Sequence, residues 1–110
     1  MDTEARLTNT TKELLGNDAV VYAATQIFDA LSDFTRFQIL STLMEGDKSV
    51  SELQEACHVS QSAISHQLRL LRDRSLVAAR REGQRVIYSL TDDHVGLLIG
   101  ICLEHAAEEV

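Results

Sequence analysis

The chain has 110 residues, of which 45% are hydrophobic and only 5% aromatic, and it contains no proline. This length suits one domain with a modest core, and the composition favours packed helices over a loop-rich β fold. The net charge of −7 argues at first against nucleic acid. No apolar run approaches the roughly 20 residues that span a bilayer, so we expect a cytoplasmic protein without a signal peptide or a membrane partner.

The first half of the chain predicts helices. Residues 1–17 are polar with scattered leucines and fit a short helix or a frayed arm. Apolar residues recur at three- and four-residue steps from Ala19 to Leu31, which predicts an amphipathic helix. Ser32 and Asp33 then provide turn and cap chemistry for a second helix.

Residues 51–71 predict a helix–turn–helix. Ser51 is expected to cap a short helix that ends at Cys57, and Ser60 to begin a longer one. The outer face of that second helix carries polar and basic side chains that could meet base edges or phosphates in a major groove. They are Gln61, Ser62, Ser65, His66, Arg69 and Arg72. The alternative is that these residues only keep a surface helix soluble.

The period changes after Leu76, and residues 76–90 predict a β-hairpin around Glu82-Gly83-Gln84, which we call the wing. Four residues near its tip suit a minor groove or phosphates: Arg80, Arg81, Gln84 and Arg85. Residues 61–90 hold six arginines and two carboxylates, a local charge of +4, against −11 for the remainder. Such segregation indicates a positive face on an acidic body, although the hairpin could also serve only to complete the fold.

Residues 92–108 predict a final helix with four metal-ligating side chains: Asp92, His94, His105 and Glu108. Eleven residues place the two histidines on one helix face to within roughly 20°, but about 16 Å apart. A zinc–nitrogen bond is about 2 Å long, so one straight helix cannot hold one ion through both. Two antiparallel copies would create two four-ligand sites between subunits. The alternative is a solvated helix that carries histidines and acids by chance.

Three segments resemble the ArsR–SmtB family of metal-sensing repressors: LSDFTRFQIL at 31–40, VSQSAISHQLRLL at 59–71 and GQRVIYSL at 83–90. The likeness extends over about residues 19–108, and the four candidate ligands resemble those of a zinc-sensing branch with its site on the C-terminal, fifth helix. The resemblance implies a single winged-helix domain over residues 1–110 that dimerises through its terminal helices. It also implies a repressor that binds double-stranded operator DNA when metal-free and is released when Zn(II) binds.

Departures from the family narrow the choice of metal. Cadmium- and lead-sensing members carry a Cys-x-Cys-like motif where this chain has Lys48-Ser49-Val50-Ser51, so a thiolate site is not expected. Nickel and cobalt sensors recruit extra ligands, whereas four nitrogen and oxygen ligands suit tetrahedral zinc. His58 stands where the family often has glycine, and we expect it only to tolerate the backbone of the turn.

A different effector stays open at this point, whereas an enzymatic function is disfavoured. The effector could be oxidation of Cys102, or cobalt or nickel, and the DNA-binding module would be the same in either case. The other cysteine, Cys57, is expected to pack in the core. An enzyme is not expected, because four protein ligands close the coordination shell and no nucleophile–base pair or glycine-rich phosphate loop is evident. We therefore predict no small-molecule substrate.

Overall fold

The computed structural model describes residues 8–110, which form six helices and three short strands. The helices are α1 (Asn9–Leu15), α2 (Asp18–Leu31), α3 (Phe34–Leu43), α4 (Val50–Cys57), α5 (Gln61–Asp73) and α6 (Asp93–Ala107). The strands are β1 (Lys48–Ser49), β2 (Val77–Glu82) and β3 (Arg85–Leu90). The predicted class, mainly helical with a small β element, is confirmed. Because α1 forms in the predicted arm, the C-terminal helix is the sixth; the arm's first seven residues lie outside the described part.

Polar caps determine where most of the helices begin. The Asp33 carboxylate accepts a hydrogen bond from the Arg36 backbone N–H at 3.0 Å, and the Ser60 hydroxyl accepts one from the Ala63 N–H at 3.1 Å. Asn17 caps α2 in the same way. Each cap satisfies an N–H group that has no partner inside its helix. The caps expected at Asp33 and Ser60 are therefore present.

The start of α4 differs from the prediction. Ser49, not Ser51, is the cap: its hydroxyl accepts from the Glu52 N–H at 3.3 Å, and its own N–H donates to Glu52 Oε1 at 2.9 Å. This is a reciprocal capping box. Ser51 already lies inside the first turn and is exposed. The prediction missed the cap because Ser49 also ends β1, a strand of only two residues that leaves no alternating pattern.

The capping box predicts that alanine substitution destabilises the protein more at Ser49 than at Ser51. Ser49→Ala should lower the free energy of unfolding by about 1 kcal/mol, because it leaves the Glu52 N–H without its acceptor. Ser51→Ala should change it by only a few tenths of that. Urea unfolding followed by circular dichroism measures both, and equal losses in the two variants would show that the box does not stabilise α4.

The three strands form one antiparallel sheet in the order β1-β3-β2. Val77 pairs with Leu90 at its base and Glu82 with Arg85 at its tip, where Gly83 has a φ of 63°. A positive φ at this point is typical of tight hairpin turns and is easiest for glycine. The predicted hairpin is thus joined by β1, whose Ser49 lies opposite Ile87 and which ties the wing to the start of α4.

The core lies among α3 to α6 and supports the helix–turn–helix. Its seven fully buried large side chains are Ile39, Leu40, Leu53, Ile64, Leu68, Leu71 and Ile99. Helix α2 contributes little to this core, since Ala30 is its only buried residue and Phe28 is 62% exposed. Among residues 8–110, no helix is both long and apolar enough to cross a membrane.

Candidate DNA interface and metal centre

The polar face of α5 is presented to solvent as predicted from its periodicity. Ile64, Leu68 and Leu71 are buried against the rest of the domain, which orients the opposite side of the helix outward. All six residues predicted to contact DNA on this helix are exposed: Gln61, Ser62, Ser65, His66, Arg69 and Arg72. Within the part of the chain that the structure describes, neither arginine is engaged by a carboxylate.

The turn between α4 and α5 depends on a left-handed residue. His58 has φ 55° and ψ 41°, and its N–H donates to the Gln54 carbonyl at 2.9 Å, which ends α4. This conformation costs a side-chain-bearing residue about 1 kcal/mol relative to glycine. His58 therefore adopts the left-handed backbone that the turn requires, as expected from the sequence.

Arg36 holds α5 in place, a role that the sequence did not reveal. Its Nε donates to the Ala30 carbonyl at 2.8 Å and its Nη1 to Gln67 Oε1 at 3.1 Å. The guanidinium thus joins the end of α2, the start of α3 and the half-buried side of α5. Arg36 and Gln67 are 31 residues apart in sequence, and only knowledge of the packing could have paired them.

Two of the wing arginines are already paired with carboxylates. Arg80 Nη1 lies 2.5 Å from Asp47 Oδ2, and its Nε lies 2.7 Å from Glu82 Oε2. Hydrogen bonds to Asp47 and then to Glu82 raise the pKa of Arg80 above its ordinary value. Arg85 Nη2 lies 3.0 Å from Glu52 Oε1. The remaining predicted wing contacts, Arg81 and Gln84, are exposed at the tip.

Glu52 therefore has two partners at once. Hydrogen bonds from the Ser49 backbone N–H and hydroxyl, followed by the weaker effect of the Arg85 charge, lower the pKa of Glu52 below its ordinary value. The Glu52 carboxylate thus connects the capping box of α4 to Arg85, at the start of β3 and the tip of the wing.

The candidate metal ligands lie in two pairs at opposite ends of α6. Asp92 caps the helix, with Oδ1 2.9 Å from the His94 N–H and 3.4 Å from His94 Nδ1. At the other end, Glu108 Oε2 lies 3.7 Å from His105 Nδ1. All four side chains are more than half exposed, and His94 is 92% exposed. We call these the N-terminal and C-terminal half-sites.

Neither half-site is a metal site by itself. Among residues 8–110 of one chain, no three His, Cys, Asp or Glu side chains are close enough to hold an ion. Each half-site nevertheless supplies one imidazole nitrogen beside one carboxylate oxygen, a donor set that suits zinc. The residues therefore fit a four-ligand zinc centre if each ion is shared between two chains.

An exposed apolar surface separates the two half-sites. The apolar residues of α6 are divided between two environments: Val95 and Ile99 are buried, whereas Leu97 and Ile101 are 62% and 63% exposed. Leu97 and Ile101 share the helix face of the histidines. Other large apolar side chains are exposed on α1 and α2: Leu14, Leu15, Val20, Tyr22 and Phe28. Leu97 and Ile101 lie one turn apart, and a contiguous exposed apolar surface of this kind typically marks an interaction site.

The two cysteines occupy different environments. Cys57 is buried in the core at the end of α4, as predicted, and burial raises the pKa of its thiol. Cys102 is exposed on α6, one turn before His105.

Comparison with known proteins places this arrangement among bacterial regulators. Residues 33–79, from the cap of α3 into β2, match the bacterial regulatory protein, arsR family. A transcriptional repressor SmtB homolog from Synechocystis sp. is 43% identical over 83 residues, which cover 76% of this chain and 63% of that protein. The chain thus spans slightly less than two thirds of this relative. A cadmium resistance transcriptional regulatory protein CadC homolog from Staphylococcus aureus is 38% identical over 84 residues, covering 76% and 69%.

A solved structure agrees with the fold as a whole. The homodimeric winged helix-turn-helix DNA-binding domain of a Mycobacterium bovis protein has a TM-score of 0.79 at 29% identity, over 84% of this chain and 85% of that one. The predicted winged helix–turn–helix is thereby confirmed. The similar proteins are transcriptional regulators, in agreement with the prediction that the chain is not an enzyme.

Proposed function

This chain belongs to the arsR family of bacterial regulatory proteins, and we propose that it is a zinc-responsive transcriptional repressor. Residues 1–110 act as one cytoplasmic winged-helix domain that binds operator DNA as a homodimer and releases it when Zn(II) binds. The observation that carries the proposal is the pair of incomplete half-sites on α6, with Leu97 and Ile101 exposed between them.

DNA binding is assigned to α5 and the wing. The exposed face of α5 offers Gln61, Ser65 and Arg69 to a major groove, while Arg72 and the wing arginines are placed for phosphates. A homodimer would present two such helices to successive grooves, which requires a two-fold operator. The homodimeric M. bovis domain of similar fold also supports a dimer.

Zinc binding is assigned to the terminal helices of the dimer. Asp92 and His94 of one chain would hold an ion together with His105 and Glu108 of the other, so that a dimer has two equivalent sites. Bound zinc supplies a cross-link of four coordinate bonds between the helices. The apolar face of α6 would align the half-sites of the two chains. The core that contains residues of both α5 and α6 would then couple the distance between the half-sites to the positions of the two α5 helices, the recognition helices of the dimer.

A zinc titration of the reduced, metal-free protein, with and without its operator duplex, tests the proposal. We expect about one zinc per chain and release of the DNA. Because coupling between two sites is reciprocal, operator DNA should weaken zinc binding by the same factor, typically 5- to 150-fold. Equal zinc affinity in the two titrations would contradict the mechanism, and a failure to bind any duplex would contradict the assignment as a repressor.

A second candidate effector is oxidation. Cys102 is exposed on the same helix as both half-sites, so its modification would act at the same surface. In that case Cys102→Ser would abolish regulation and His105→Ala would preserve it. Cobalt or nickel remains an alternative metal, and the same titration repeated with each ion compares them with zinc.

A further inference from the structure

The wing and the helix–turn–helix are joined by two long-range ion pairs. Asp47, just before β1, reaches Arg80, and Glu52 on α4 reaches Arg85; both pairs connect residues 33 positions apart. The side chains involved are about half exposed, so neither pair is a buried structural contact. Both are open to competition by another anion.

The arginines of the positive region fall into two classes, those paired with a carboxylate and those not. Among residues 8–110, Arg69, Arg72 and Arg81 form no ion pair, whereas Arg80 and Arg85 are both engaged by carboxylates. A guanidinium that is already hydrogen-bonded to a carboxylate must exchange that partner before it can bind a phosphate. The carboxylate left behind then repels the same phosphate.

We propose that Glu52 and Asp47 are latches that hold the wing arginines in the free protein and thereby limit its affinity for DNA. The inference rests on the proposed DNA-binding function and adds two acidic determinants of affinity to it. Glu52 is the stronger case, because Ser49 fixes its carboxylate through the capping box at 2.9 Å. Glu82 also binds Arg80, so loss of Asp47 alone leaves that arginine partly held.

A latch of this kind fits a repressor that an effector must remove. An effector typically changes the affinity for DNA by about 5- to 150-fold. A repressor whose metal-free affinity for its operator were too high for such a change to reverse would stay bound in the presence of the effector. Carboxylates that compete with phosphate keep the affinity within the range that the coupling can reverse.

Removing the Glu52 charge tests the latch. Glu52→Gln keeps an N3 residue able to complete the capping box, and it should tighten binding to a fluorescent operator duplex roughly two- to fivefold, as expected for loss of one exposed ion pair. Glu55→Gln is the matched control: it makes the same change of charge one turn further along α4, on an exposed residue outside these ion pairs. The control should move the affinity less than 1.5-fold, roughly the smallest effect of such a pair.

Repeating both substitutions in an Arg85→Ala background separates the latch from a general charge effect. There, Glu52→Gln should give no more gain than Glu55→Gln, because the partner of the latch is gone. Equal gains in the parent chain, or a Glu52→Gln gain that persists without Arg85, would overturn the latch while leaving DNA binding intact. Absence of DNA binding by the parent chain would overturn the proposed function and the latch together. Circular dichroism melting curves verify that each variant is folded.

Discussion

Zinc binding should return when two chains that cannot bind zinc are mixed. One chain carries Asp92→Asn and His94→Ala, and the other carries His105→Ala and Glu108→Gln. Alone, each variant forms dimers in which both sites lack two ligands. In a mixed dimer, one site lacks all four ligands and the other has all four. We therefore expect one zinc per mixed dimer, that is, about half a zinc per chain in the dimers that contain both variants.

The measurement is a zinc titration of each variant and of the mixture after unfolding and refolding together. Asparagine at position 92 retains the cap of α6, so the change removes a ligand without removing the start of the helix. Full zinc binding by either variant alone would show that the ion is held within one chain. No binding by the mixture would show that the two half-sites do not meet.

Ile101→Asp should convert the dimer to monomers. Ile101 lies on the exposed face of α6 between the half-sites, and an antiparallel pairing would bring two copies of the new carboxylate close together in an apolar contact. Loss of the dimer removes one of the two recognition helices from each complex, so operator affinity should fall about a hundredfold or more. Zinc binding should be lost in parallel.

Analytical ultracentrifugation gives the oligomeric state, and fluorescence anisotropy gives the DNA affinity. Ile101→Leu is the control, since it keeps the apolar surface and should behave as the parent chain. An Ile101→Asp chain that remained dimeric would place the interface on another surface, for example on α1 and α2, where Tyr22 and Phe28 are also exposed.

Local patterns in the sequence were sufficient for much of the fold. The spacing of Ile64, Leu68 and Leu71 predicts both α5 and the face that it buries, because a helix repeats its environment every three to four residues. Ser60 and Gly83 identify a helix start and a turn for equally local reasons: a side-chain acceptor next to unpaired N–H groups, and a residue free to adopt positive φ. The four candidate ligands are likewise predicted from spacing along one helix, and their role stays a prediction.

Features that depend on distant residues were not predictable in the same way. Nothing near Arg36 in the sequence indicates Gln67, and nothing near Arg80 indicates Asp47. The apolar face of α2 was another such case. Its periodicity predicts burial, but a periodic pattern does not distinguish a face buried in the chain's own core from one such as Phe28, which the single chain leaves exposed.

The cap at Asp92 makes the two half-sites mechanically unequal. One oxygen of its carboxylate accepts a hydrogen bond from the His94 backbone N–H, so this side chain is oriented by the helix itself before any ion binds. Glu108, just beyond the last turn of α6, has no such constraint from the helix. Each shared site would thus combine a carboxylate ligand that is already oriented, Asp92 of one chain, with one whose orientation the helix does not fix, Glu108 of the other. Differences in ionic radius would then be accommodated at the Glu108 side of the site, where the helix does not fix the carboxylate.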